Sequence, residues 1–109
     1  MQKLENYILG RWITGDGDGQ ALFNAVNGDV IGYATTKGLD FQKIVEYARN
    51  TGSPAMRKMS FQQRGLMLRS LAMHLRNHLD KFYAISYLSG ATKADSWIDI
   101  DGGIGTLFA

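Results

Sequence analysis

The stretch SWIDIDGGIGTLFA, from Ser96 to Ala109, separates two fold classes for this chain. An apolar run followed by three glycines is typical of a strand that enters a phosphate-binding turn in an α/β enzyme. The alternation that supports a strand covers only Ile98-Asp99-Ile100-Asp101. Thr92 and Asp95 form a capping pair before it, and helical spacing then links Trp97, Ile100, Ile104, Leu107 and Phe108. The pattern therefore favours a helix.

The glycines of this stretch do not complete a dinucleotide motif. The motif requires G-x-G-x-x-G, and although Gly103-Ile104-Gly105 begins it, the last position is Phe108. We instead expect the three glycines to leave part of one helix face without side chains, so that another backbone can pack closely against it. The apolar end Leu107-Phe108-Ala109 lacks any helix cap, which predicts that the chain is cut from a longer protein.

Two further helical regions are predicted upstream. Asp40 caps a helix that Gly52 ends in a left-handed conformation, and Ser53-Pro54 then starts a new helix. Ser60 and Gln63 form a capping box for the longest helix, which continues to Ser89-Gly90 with a bend between residues 77 and 80. Its apolar stripe must face a core and consists of Leu68, Leu71, Ala72, Leu75, Leu79 and Phe82.

The first third of the chain is predicted to form β-strands. We predict strands over residues 7–13, 21–26 and 29–35, with a two-residue hairpin turn at Asn27-Gly28. The fold class is thus α+β, with a small N-terminal antiparallel β-meander in residues 1–38 and a helical segment in residues 39–109.

Composition excludes several classes of protein. Apolar residues are 45% and charged residues 20% of the 109 residues, which is typical of a globular domain and not of a disordered chain. The absence of cysteine excludes disulfides and thiolate metal sites. No signal peptide or membrane span is recognisable, so a cytoplasmic location is expected.

Positive charge is concentrated in residues 49–81. This stretch holds one acid, Asp80, against seven bases: Arg49, Arg57, Lys58, Arg64, Arg69, Arg76 and Lys81. A solvated helix face is the favoured interpretation over nucleic-acid binding. The alternative is a self-sufficient, non-enzymatic binding or assembly module that uses this basic stretch.

No catalytic, cofactor-binding or metal-binding residue is predicted. His74 and His78 share a helix face, but the spacer lacks the glutamate of H-E-x-x-H and no third ligand is evident. Asp16-Gly17-Asp18 and Asp99-Ile100-Asp101-Gly102 both depart from the calcium-loop pattern within six positions. No G-x-S-x-G elbow is present, and the carboxylates Glu5, Asp40, Glu46 and Asp80 share no predicted face.

Several phrases resemble the N-terminal part of the aldehyde dehydrogenase superfamily. They are Tyr7-Ile8-Leu9-Gly10-Arg11-Trp12, residues 15–19, and Phe23-Asn24-Ala25-Val26-Asn27-Gly28-Asp29-Val30-Ile31, followed by Arg64, Leu68, Leu71, Ala72 and Leu75. Many superfamily members have Asn-Pro where this chain has Asn24-Ala25. The resemblance implies that both segments belong to one incomplete N-terminal, cofactor-binding domain.

Two phrases narrow the resemblance to a subfamily. Lys37-Gly38-Leu39-Asp40-Phe41 and the stretch from Ser89 to Phe108 are similar to the bifunctional ring-opening proteins of bacterial phenylacetate degradation. These join an oxepin-CoA hydrolase of hot-dog fold to an NADP-dependent semialdehyde dehydrogenase. The resemblance implies a parent in which a cysteine attacks the aldehyde and a glutamate activates water. Neither can be assigned here, because the chain has no cysteine and the family's motifs lie beyond Ala109.

The resemblance also sets expectations for partners. The parent would bind NADP or NAD, and this chain alone would bind neither. Its apolar helical face, centred on Leu68, Leu75 and Leu79, would be covered by the remainder of the dehydrogenase domain or by self-association into a homo-oligomer. Nucleic acid and membranes are not expected partners.

Overall fold

A computed structural model describes residues 2–109 of the chain, which separate into two compact units. The first unit runs to Lys58 and the second comprises Met59–Ala109. Strands and a helical segment build the first unit, and helices alone build the second. The α+β class expected from the sequence is confirmed.

The first unit holds five short strands in two sheets. They are β1 Gln2–Lys3, β2 Asn6–Ile8, β3 Arg11–Ile13, β4 Gln20–Phe23 and β5 Val30–Ala34. The three-stranded sheet has the order β1-β5-β4, and β2 pairs with β3 separately. β4 is antiparallel to β5, whereas β1 is parallel to β5. The predicted regions form the antiparallel pairs β2–β3 and β4–β5, and β1, a two-residue strand that the sequence pattern did not predict, adds a parallel pairing.

The predicted strand 7–13 is a hairpin. Leu9 and Gly10 both adopt positive φ, 54° and 76°, and form a two-residue turn between the paired residues Ile8 and Arg11. Positive φ at both central positions is the type I′ geometry that matches the twist of the flanking strands. The sequence pattern missed it because leucine is an unusual residue in this conformation.

The hairpin between β4 and β5 is confirmed, but its loop is longer than the predicted two residues. Asn24 N–H donates to the Asp29 carbonyl at 2.7 Å, and Gly28 N–H donates to the Asn24 carbonyl at 2.8 Å. The Asn24 and Asn27 side chains accept from the backbone two residues on, at 2.8 and 2.9 Å. These local hydrogen bonds compete with ladder pairing, so β4 ends at Phe23 rather than at residue 26.

Helix α1, Phe41–Tyr47, begins at Asp40, whose side chain accepts from Lys43 N–H as predicted. The helix does not end at Gly52, which has φ −69°, but continues through a π-helical turn, Ala48–Gly52, into α2, Ser53–Arg57. Pro54 accounts for the difference. Its ring lacks an N–H and crowds the preceding turn, and the wider π turn relieves that crowding without breaking the helix.

The second unit is a run of helices. α3 is Phe61–Arg76, α4 is Leu79–Leu88, α5 is Lys93–Ser96, a π-helical turn covers Trp97–Asp101, and α6 is Gly102–Phe108. The predicted capping box of α3 is present in both directions. The predicted bend is a break between α3 and α4 at Asn77 and His78. The glycine-containing stretch from Ser96 to Phe108 is therefore helical, as the pattern favoured.

Little of the second unit is buried. Ala72 of α3 is fully buried and Ile104 of α6 is 8% exposed, at the place where these helices pack together. Ser96 is the third buried residue of this unit. No helix among residues 2–109 has both the length and the apolar character needed to cross a bilayer.

Substituting the two turn glycines of the first unit separates backbone strain from steric crowding. Gly10→Ala and Gly28→Ala both place a Cβ at positive φ, so each lowers the free energy of unfolding by about 1 kcal/mol. Gly10→Ala should cost little more than Gly28→Ala, because its Cβ would lie 2.9 Å from Tyr47 Oη, the end of a partly exposed side chain that can move aside, whereas nothing lies within 4 Å at Gly28. Urea denaturation measures both losses. A clearly larger loss for Gly10→Ala would show that Tyr47 cannot move aside.

Candidate functional site

The second unit has a groove between α4 and the helical stretch that begins at α5. One helix face contributes Leu79, Asp80, Tyr83, Ala84 and Tyr87, and the other contributes Lys93, Trp97 and Asp101. These eight residues define the Tyr83 groove, an open cavity of about 540 Å³. Residues on each side recur about four apart, so each set shares one helix face.

A tyrosine and a carboxylate join the two sides of the Tyr83 groove. The Tyr83 hydroxyl donates to Asp101 Oδ2. This hydrogen bond, with smaller contributions from desolvation and from the negative charge of Asp101, raises the pKa of Tyr83 to about 12. Tyr83 is therefore protonated at neutral pH and acts as a hydrogen-bond donor, not as a general base.

A pair of serines makes a second connection between the same helices. Ser86 Oγ and Ser96 Oγ are 2.8 Å apart, and Ser96 Oγ also donates to the Thr92 carbonyl at 2.8 Å. Ser96 is fully buried, so its hydroxyl needs these partners. Neither interhelical connection was predictable from the sequence, because single serines and a tyrosine on two different helices carry no pattern.

The histidine pair has no metal-site geometry. The His74 and His78 rings pack edge to face with centroids 4.8 Å apart. Within residues 2–109, no group of three or more His, Cys, Asp or Glu side chains is placed to hold a metal ion. The two rings interact with each other at the end of α3.

The acidic loop of the first unit is closed by its own backbone. Asp16 N–H donates to the Lys37 carbonyl at 2.8 Å, and Thr35 Oγ1 donates to the Asp16 carbonyl at 3.0 Å. Gly38 has φ +81°, and a Cβ there would collide with the Asp16 carboxylate. Asp16 thus fixes the loop between β3 and β4 against the residues that follow β5. Asp99 and Asp101 lie in the π-helical turn instead.

The basic residues do not form a stripe. Arg64, Arg69 and Arg76 are five and seven residues apart on α3, so Arg64 points about 120–140° away from the other two. Arg76 lies over the Phe108 ring, with its guanidinium carbon 5.3 Å from the ring centroid. Arg57 donates to Ser53 Oγ at 3.2 Å within α2. The alternative of a binding or assembly module that uses the basic stretch 49–81 therefore gains no geometric support from these residues.

The first eleven residues of α3 are exposed on every face. Phe61 is 81% and Leu66 62% exposed, and every residue from Phe61 to Leu71 is classed as exposed. Of the predicted apolar stripe, only Ala72 is fully buried, while Leu75 and Leu79 are half-buried and Leu68 is 40% exposed. A helical stretch of this length is marginal in water on its own. Within the described residues, the first eleven residues of α3 therefore gain little stabilisation from burial.

The glycines of α6 are equally open. A Cβ added at Gly102, Gly103 or Gly105 meets no atom within 4 Å among the described residues, apart from the helix's own backbone. The expected close approach of another backbone is therefore not made within this stretch of chain. The helix nevertheless leaves room for one.

The sequence profile of the Aldehyde dehydrogenase family matches residues 12–109. The chain belongs to the aldehyde dehydrogenase family. It is 35% identical over 106 residues to 3,4-dehydroadipyl-CoA semialdehyde dehydrogenase of Aromatoleum evansii. The alignment covers 96% of this chain and 21% of that relative, so this aldehyde dehydrogenase chain spans about a fifth of the relative's length. The family resemblance drawn from the sequence is confirmed.

The hydrogen bond to Asp101 makes stability depend on alkaline pH. Because Tyr83 has a higher pKa folded than the ordinary value of 10, its stabilising effect is complete below pH 10 and is lost as pH rises to about 12. Tyr83→Phe should therefore flatten the fall in stability across this window. Urea denaturation at several pH values measures the slope. Tyr87→Phe is the matched control, since Tyr87 lies one helical turn away and does not donate to Asp101. Identical slopes for Tyr83→Phe and the unaltered chain would refute this role of the hydrogen bond.

Proposed function

We propose that this chain is the N-terminal scaffold portion of a cytoplasmic NAD(P)-dependent aldehyde dehydrogenase that oxidises a CoA-linked semialdehyde in aromatic catabolism. The observation that carries the proposal is the joint match to the family profile over residues 12–109 and to a CoA-semialdehyde dehydrogenase at 35% identity. The fused ring-opening hydrolase implied by the subfamily resemblance stays a prediction about the parent.

Neither the glycine-rich stretch of α6 nor the Tyr83 groove fits a dinucleotide. Gly102–Phe108 is helical, so most of the backbone N–H groups of this glycine-rich stretch are used within the helix and do not cradle a pyrophosphate. The neighbouring Tyr83 groove carries the carboxylates of Asp80 and Asp101, which repel phosphates. The proposal therefore assigns NADP or NAD binding, and the catalytic cysteine and glutamate, to the parent beyond these 109 residues.

The exposed surface supports a scaffold that is covered by further protein. Two separate globular bodies of about 6 kDa would together expose roughly 7,200 Å². This chain, which consists of two units of about that size, exposes 8355 Å². The surplus of roughly 1,100 Å² exceeds the about 800 Å² that each partner contributes to an interface of standard size. We propose that the remainder of the dehydrogenase domain covers this area, and that copies of the isolated chain cover it for one another.

The gene sequence and the activity of its complete product test the function directly. Reading the coding frame past the codon for Ala109 should reveal the cysteine and glutamate of the family. The complete product should then oxidise a CoA-linked semialdehyde with NADP or NAD. A stop codon directly after the codon for Ala109, with no dehydrogenase sequence following it, would count against the scaffold role.

The purified 109-residue chain should take up neither NADP nor NAD. The physical reason is the missing phosphate cradle, and isothermal titration calorimetry measures uptake at millimolar dinucleotide. Aldehyde oxidation, followed by absorbance of the reduced nicotinamide, should also be absent. Stoichiometric dinucleotide uptake or catalytic turnover by this chain would refute the assignment of cofactor binding and catalysis to the rest of the parent protein.

Self-association should depend on the apolar surface of α3. Leu66→Gln replaces an exposed apolar side chain by a polar one of similar size and should weaken association about fivefold, because less apolar area is buried between copies. Leu66→Met is the matched control, since methionine keeps the apolar character of the side chain. Glutamine and methionine are both good helix formers, so neither variant should disturb α3. Sedimentation equilibrium measures the association constants. A chain that stays monomeric at all concentrations, or equal effects of the two variants, would refute this use of α3.

A further inference from the structure

The two helices that form the Tyr83 groove run in opposite directions. Tyr83 bonds to Asp101, and Ser86 lies against Ser96, so rising residue numbers on α4 meet falling numbers on the other side. Asp80 therefore lies at the same end of the groove as Asp101, and Lys93 lies at the other end. The groove has two carboxylates at one end and one ammonium group at the other.

Aromatic rings line the groove between these charges. Trp97 is 63% and Tyr87 40% exposed, and both border the cavity. An indole face next to carboxylates is a favourable environment for a cation, and a planar guanidinium can stack on the ring while it donates to a carboxylate. Tyr83 uses one oxygen of Asp101, and Asp80 is exposed at the groove surface.

Lys93 opposes such a cation only weakly. It is eight residues from Asp101, which corresponds to about 12 Å along a helix. The Debye length at physiological ionic strength is about 8 Å, so repulsion across the groove is largely screened. The other charges of the same helical stretch, Asp95 and Asp99, are negative and exposed and do not line the groove.

We infer that the Tyr83 groove is a docking site for an arginine side chain presented by a polypeptide partner. The guanidinium stacks on Trp97 and donates to the carboxylates of Asp80 and Asp101. This inference goes beyond the proposed function, since it depends only on the groove of this chain and involves no catalytic step.

The experiment uses the fluorescence of Trp97 in the 109-residue chain carrying Trp12→Phe, which removes the other tryptophan. The probe is N-acetyl-arginine amide, and N-acetyl-citrulline amide is its uncharged counterpart. We expect a saturable change in fluorescence with the arginine probe at millimolar concentration, and none with citrulline. Asp80→Asn should weaken binding about threefold, in line with an exposed charge pair.

A matched control separates the groove from the general acidity of the helix. Asp99→Asn makes the same charge change on the same helical stretch but outside the groove, and should alter binding less than twofold. Tyr87→Leu, which removes the ring and keeps an apolar side chain, should also weaken binding.

Three results would overturn the inference: no saturable change with the arginine probe, equal effects of Asp80→Asn and Asp99→Asn, or equal binding of tetramethylammonium, which carries charge without a planar donor. If the arginine probe binds but the reading frame ends without dehydrogenase sequence, the docking site is supported and the proposed function is refuted. If the probe does not bind but the frame continues into dehydrogenase sequence, only the docking site is refuted.

Discussion

Buried apolar surface is the quantity on which the fold of this chain depends, and the chain has little of it. In the second unit the contact between α3 and α6 buries Ala72 and Ile104, and no other apolar residue of that unit is classed as buried. Partly buried side chains such as Leu75, Leu79 and Phe82 add to this buried surface, while α3 stays open from Phe61 to Leu71.

Polar contacts partly compensate for the small core by fixing the helices of the second unit. Ser96 is buried and satisfied by Ser86 and by the Thr92 carbonyl, and Tyr83 bonds to Asp101 across the same pair of helices. Such hydrogen bonds add only about 1 kcal/mol each, but an unmade one in a buried position costs more. They therefore set the spacing and direction of α4 against its neighbour more than they stabilise it. The Tyr83 groove exists because these contacts hold its two sides in register.

Local sequence signals predicted the parts of the fold that are determined locally. The capping residues Asp40, Ser60 and Thr92 all cap helices, because a side-chain oxygen and the next backbone N–H groups are enough to define the start. The hairpin between β4 and β5 was found, but its loop was not, since Asn24 and Asn27 bond to their own backbone. The parallel pairing of β1 with β5 joins residues about thirty apart, and no local pattern reports it. The Tyr83 groove escaped prediction for the same reason.

Short sequence segments identified the family. They did not predict which residues of the final helix are buried, and the π-helical turn is the reason. Trp97 and Ile104 are seven residues apart, which in an α-helix places them on one face. The turn Trp97–Asp101 is π-helical and accommodates about one extra residue, so it rotates the preceding residues by about 100° relative to those that follow. Ile104 consequently faces α3 and is buried, while Trp97 is 63% exposed. The irregular turn thus lets a single helical stretch serve both the small core and the Tyr83 groove.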